Sequence, residues 1–132
     1  MNEPDSHTTP QHMDLGEQGE LLATAHLLAK GYAIRHRNWK MGKKEIDIVA
    51  ENHEGVVFVE VKTRHTNAFG NPETAVTPTK QRNIIAAARA YINIYKLDCR
   101  TRFDIIAIVL EKGHAHIQHI EDAFRPRPKY YS

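Results

Sequence analysis

Lys44-Glu-Ile-Asp-Ile-Val-Ala-Glu-Asn-His-Glu-Gly-Val-Val-Phe-Val-Glu-Val-Lys-Thr-Arg64 reads as two β-strands around a turn. Glu45 to Ala50 and Val56 to Lys62 are rich in Ile and Val and alternate in type, and Asn52-His53-Glu54-Gly55 between them has turn chemistry. Successive strand side chains point to opposite faces. Ile46, Ile48 and Ala50 are therefore expected to share an apolar face with Val57, Val59 and Val61. Glu45, Asp47, Val49, Phe58, Glu60 and Lys62 take the other. A turn centred between His53 and Glu54 sets a register that puts Asp47 opposite Glu60 and Lys62 opposite Glu45.

Directly opposed residues have Cβ atoms about 4.5–5.5 Å apart, so two carboxylates there repel unless a cation or a proton lies between them. A divalent ion suits the gap. Mg²⁺ takes few carboxylate ligands, keeps several waters and combines well with phosphate oxygens. Bound there, it would make a water a better nucleophile, and the Lys62 ammonium can orient that water and stabilise charge developing on phosphorus oxygens. The plainer reading is a solvated hairpin face with Lys62 paired to Glu60, an arrangement worth ~0–1 kcal/mol.

On the N-terminal side, Met1 to Met13 is polar with two prolines and no periodicity, and is expected to be disordered. From Asp14, residues Leu21, Leu22, Ala25, Leu28 and Ala29 recur at helical spacing up to Gly31, predicting a first helix that buries that stripe. Asp14 and Glu17 have capping-box spacing, so Glu17 serves the helix terminus. Glu20 has no such duty and stands at the margin of the stripe; it is either an exposed helix glutamate or a group turned along the sheet. Tyr32 to Trp39 reads as the first strand. Arg35, His36, Arg37, Lys40, Lys43 and Lys44 make its neighbourhood basic, the distribution of a phosphate-binding surface, although basic edge strands also discourage aggregation.

Beyond the hairpin, Thr63 to Pro72 is a polar loop positioned to close over a substrate. Thr77 and Pro78 mark the start of a second helix through Ile84, Ile85, Ala88, Tyr91, Ile92 and Tyr95. Lys80 and Arg82 in its first turns oppose the helix dipole, which a nearby phosphate would explain. Arg102 to Leu110 is nearly all apolar, as a strand covered on both faces is. His114 to Ile120 reads as an exposed last strand; its three histidines lack a cysteine or carboxylate partner at zinc-site spacing. Arg125 to Ser132 is a basic, proline-spaced tail and a further potential contact to nucleic acid.

The whole is 132 residues, 41% hydrophobic, with a formal net charge of +2. That is enough for one core, assigned to 14–124 between an N-terminal extension, 1–13, and the tail, 125–132. The lone Cys99 excludes an internal disulfide framework and suits a reducing compartment. No apolar run reaches the ~20 residues of a membrane span, and the polar N-terminus is unlike a signal peptide. A cytoplasmic protein is expected.

The order helix, three strands, helix, strand, with Glu20, Asp47 and Glu60-Val61-Lys62, resembles the PD-(D/E)XK nuclease superfamily. More closely it resembles the uncharacterised bacterial YraN family, itself similar to archaeal Holliday-junction resolvases. The resemblance covers about Leu15 to Phe124 through Gly16-Glu17-Gln18-Gly19-Glu20, Glu45-Ile46-Asp47, Phe58-Val59-Glu60-Val61-Lys62-Thr63-Arg64, Phe69-Gly70 and Arg102-Phe103-Asp104. It implies an α/β, restriction-endonuclease-like core with a mixed sheet flanked by helices. It implies Asp47, Glu60 and the Val61 carbonyl as ligands to Mg²⁺ or Mn²⁺, Lys62 as the catalytic lysine, and Glu20 as the helix carboxylate of the resolvases. Arg35, Arg37, Lys43, Lys44, Arg64, Lys80 and Arg82 are the expected nucleic-acid contacts. Lys44 departs from the glycine that relatives commonly place before Glu-Ile-Asp. The expected function is a metal-dependent endonuclease on DNA phosphodiesters, at branched or single-stranded structures, acting as a homodimer. The alternative is a non-catalytic nucleic-acid-binding module on the same scaffold.

Overall fold

Residues 13–65 and 76–127 are described by a computed structural model of the protein. The order is α1 (Leu15–Ala29), β1 (Ala33–Met41), β2 (Lys44–Asn52), β3 (Gly55–Arg64), α2 (Pro78–Ile94), β4 (Thr101–Glu111) and β5 (His114–Phe124). The strands form one sheet in the order β1-β2-β3-β4-β5. Only β3 and β4 pair in parallel, as the helical crossover α2 between them requires; the other pairs are antiparallel. This mixed sheet with a helix on each face is consistent with the restriction-endonuclease-like α/β core, extended by β5.

Each helix begins where its chemistry directs. The Asp14 carboxylate accepts from the Glu17 amide at 2.8 Å, and Glu17 accepts from the Asp14 amide at 3.3 Å, closing the expected capping box. Thr77 caps α2 through the Lys80 amide at 3.2 Å, with Pro78 next.

Two apolar clusters separate at the sheet. Tyr91 of α2 packs with Val49, Phe58, Phe103 and Phe124 on one face; Ala23 and Leu27 of α1 pack with Ile48, Ala50, Val57, Val59, Ile106 and Ile108 on the other. β4, between β3 and the edge strand β5, is covered on both faces, its Phe103 to Ile108 all buried.

The buried face of α1 differs from the expected stripe. Gly19, Ala23 and Leu27 face the sheet, while Leu21 is 42% and Leu28 54% exposed, with Ala25 and Ala29 also outward. The reason is close approach. A Cβ on Gly19 would sit 1.7 Å from Thr63 Oγ1 and 2.8 Å from Thr63 Cβ. Small residues thus let α1 lie against the end of β3, and apolar residues all round the helix hide the choice from periodicity. Gly19→Ala is expected to force α1 away from β3 and cost about 1–3 kcal/mol. In urea unfolding, adding Thr63→Ala should recover part of that loss; no recovery would show that the contact with Thr63 is not what requires glycine.

The expected N-terminal extension through residue 12, the loop residues 66–75 (with Phe69-Gly70) and the tail from residue 128 lie outside the described residues.

Candidate metal and active site

The β2–β3 ladder follows the expected register through Asn52–Gly55, Ala50–Val57 and Ile48–Val59. There it ends, so the expected pairs Asp47–Glu60 and Glu45–Lys62 are not rungs of it. The Asp47 carboxylate takes the place of a backbone carbonyl, accepting from the Val61 amide at 2.8 Å. The alternation of β2 also changes here. Ile46 belongs to the cluster under α2, whereas Ile48 and Ala50 belong to that under α1, correcting the expectation that all three share one face.

Asp47 and Glu60 nonetheless act on one another, the Glu60 charge raising the Asp47 carboxyl. Glu60 is only 4% exposed. Burial first, and then the Glu60 charge, push Asp47 up to about 7. Burial also raises Glu60, against a downward pull from Lys80 and then Lys62. Without a metal the pair therefore shares a proton near neutrality. Lys80 Nζ stands 3.8 Å from Glu60 Oε2, bringing the start of α2 to the same place and placing Lys80 among the site residues.

Glu20 reaches this site from α1. Its carboxyl is raised by burial and by Asp47, against a downward pull from Asn38 and Arg37. Asn38 stands in a left-handed position in β1, φ 52°. Asn38 escaped sequence reading because nothing local marks that conformation. Glu45 is the other addition: its charge raises Glu20, Asp47 and Glu60 alike.

The expected phosphate contacts divide. Arg37, Lys43 and Lys44 are exposed near the β1–β2 turn, Arg64 is half-buried at the end of β3, and Arg82 is exposed on α2. Arg35 does not belong with them. Its guanidinium donates to Tyr91 Oη and to Glu51, both at 2.9 Å, so an internal network holds it.

The donor set fits a hard divalent ion. Two adjoining carboxyls that resist simultaneous ionisation invite a cation, and Mg²⁺ needs only one or two carboxylates with waters completing its shell. No group of three or more His, Cys, Asp or Glu side chains able to hold a metal occurs among the described residues. His114 and His116 are exposed, whereas His119 is more buried.

The sequence model of the uncharacterised protein family UPF0102 matches residues 19–108, from the glycine under α1 to the middle of β4. This chain belongs to the UPF0102 (YraN) family. It is 53% identical over 116 residues to a UPF0102 protein of Phocaeicola vulgatus, covering 88% of this chain and 96% of that one. The identity is 46% to a UPF0102 protein of Bacteroides thetaiotaomicron with the same coverage. It is 45% over 125 residues to one of Pelobacter propionicus, covering 92% and 89%. The segment matched to UPF0102 includes Gly19, Glu20, Asp47, Glu60, Lys62 and Lys80. Among the described residues of this UPF0102 protein, no helix is long and apolar enough to cross a membrane.

Proposed function

We propose that this UPF0102 protein is a metal-dependent endonuclease of the PD-(D/E)XK type, hydrolysing DNA phosphodiesters at branched or single-stranded structures. One observation carries the reading: Asp47 and Glu60 meet at the end of the β2–β3 ladder with Lys62 beside them, and neither acid has an arginine to neutralise it among the described residues. Asp47, Glu60 and the Val61 carbonyl would hold Mg²⁺ or Mn²⁺. When bound, the ion supplies positive charge against a phosphate and acidifies a water.

The chain's own groups do the rest. Lys62, one strand repeat beyond Glu60, orients the attacking water and offsets charge gained by the phosphate. Lys80 offsets the charge of Glu60 when the pair loses its shared proton. Glu20, biased towards its protonated form, can hold a proton beside Asp47. Exposed Arg37, Lys43 and Lys44, with Arg64, supply phosphate contacts flanking the acids. A domain of this size covers few base pairs, and a two-fold homodimer would present one site to each of two strands.

The test is cleavage of branched, single-stranded and duplex DNA with Mg²⁺ or Mn²⁺. Lys62→Ala should reduce cleavage about 10²–10⁴-fold while leaving metal uptake intact, and Glu60→Gln should abolish cleavage and weaken metal uptake at least about tenfold. DNA binding without cleavage by the wild type, with a steep salt dependence unaltered in Glu60→Gln, would instead identify a non-catalytic binding module.

A further inference from the structure

A second constellation lies between α1 and β5 and takes no part in the carboxylate site. Its base is Asp104 on β4, fully buried. Asp104 accepts from Arg102 Nε at 2.8 Å and from a second guanidinium nitrogen at 2.9 Å, from the Asp122 amide at 3.0 Å, and from His119 Nε2 at 2.7 Å. A carboxylate so placed requires His119 Nε2 to carry its proton, which leaves the Nδ1 lone pair free in the neutral ring. That nitrogen points at α1. His26 Nε2 stands 3.1 Å from it, with the ring centroids 5.2 Å apart.

Two imidazole nitrogens held by one tetrahedral ion at about 2.0–2.1 Å lie roughly 3.3 Å apart, so the pair already has the separation a metal needs. A buried carboxylate behind one ring is the support that fixes tautomer and orientation in histidine metal sites. We propose that His26 Nε2 and His119 Nδ1 form a binding site for an imidazole-preferring divalent ion, Zn²⁺ or Cu²⁺, distinct from the oxygen-ligand site at Asp47 and Glu60. The Lys30 ammonium lies 3.4 Å from His119 Nδ1 and 3.7 Å from Glu121 Oε2. Lys30 is 41% exposed and can move towards Glu121 as the ion enters. With two protein nitrogens, the ion keeps positions open for solvent. It also fastens α1, which carries Glu20, to the far edge of the sheet.

Calorimetric titration of the untagged full chain with Zn²⁺ at pH 7.5 tests this site apart from the first. The expected result is 1:1 binding in an Asp47→Asn background, weakened at least about tenfold by His26→Gln and unchanged by His114→Gln with His116→Gln. Cu²⁺ electron paramagnetic resonance should show two coupled nitrogens, reduced to one in His26→Gln. No saturable uptake in the Asp47→Asn background, or equal uptake after His26→Gln, would overturn the proposal and leave a hydrogen-bonded pair of rings. Neither result bears on DNA cleavage.

Discussion

Replacing Asp104 by alanine is expected to cost about 3–5 kcal/mol, the size of effect that follows when one partner of a buried charge network is removed. The variant takes the shared acceptor from Arg102 and His119, and the Asp122 amide loses its acceptor too. Urea unfolding at pH 7 measures it. Burial alone would raise the Asp104 carboxyl, but hydrogen bonds from His119, Arg102 and the Asp122 amide outweigh burial and hold it below its ordinary range. A carboxyl depressed in the folded state contributes stability that is fully present above its unfolded value, about 3.9, and lost as pH falls through the lower folded value. The deficit of Asp104→Ala should therefore be constant from pH 5 to 7 and shrink only in strong acid. A loss below about 1 kcal/mol at pH 7 would mean that the network is not the anchor between β4 and β5.

Asp47→Asn should act in the opposite direction. Asp47 binds its proton more tightly folded than unfolded, its carboxyl pushed up to about 7 by burial and by Glu60. Sign follows from linkage: the stabilising proton is fully present below the unfolded value of about 3.9 and lost as pH rises through about 7. At pH 8 without metal, the wild type carries two adjoining charges at the site. Asparagine removes one and keeps an acceptor for the Val61 amide. With proton sharing and nearby solvent discounted, the variant should be about 1–3 kcal/mol more stable than the wild type in EDTA at pH 8, and close to it at pH 5. Thermal unfolding at both pH values decides. Lower stability of Asp47→Asn at pH 8 would show that Asp47 is not held in conflict with Glu60.

Much of this arrangement was legible in the residues, for identifiable reasons. The hairpin register follows from its short turn, so the approach of Asp47 to Glu60 could be anticipated from the chain alone. Thr77-Pro78 and Asp14–Glu17 fixed the helix starts, because caps are local chemistry. Arg102 to Leu110 announced a central strand by being apolar on both faces. What periodicity could not reveal were choices made by tertiary contact. The sheet-facing side of α1 is chosen by the fit of Gly19 against Thr63, not by its leucines. Asn38 takes a left-handed backbone beside Glu20, and Arg35 is held by Glu51 and Tyr91, sixteen and fifty-six residues away. His119, one of three similar histidines in sequence, is singled out only by a bulge-flanked turn of β5 towards Asp104.

Two acids that need a cation between them stand at the centre of the site, and Mg²⁺ calorimetry at pH 6, 7 and 8 addresses that need most directly. Wild type should bind one ion, with affinity rising across this range and a proton released to buffer near pH 7, while Asp47→Asn and Glu60→Gln bind at least about tenfold more weakly. Equal heats from wild type and Asp47→Asn, or uptake indifferent to pH, would contradict a metal at this pair.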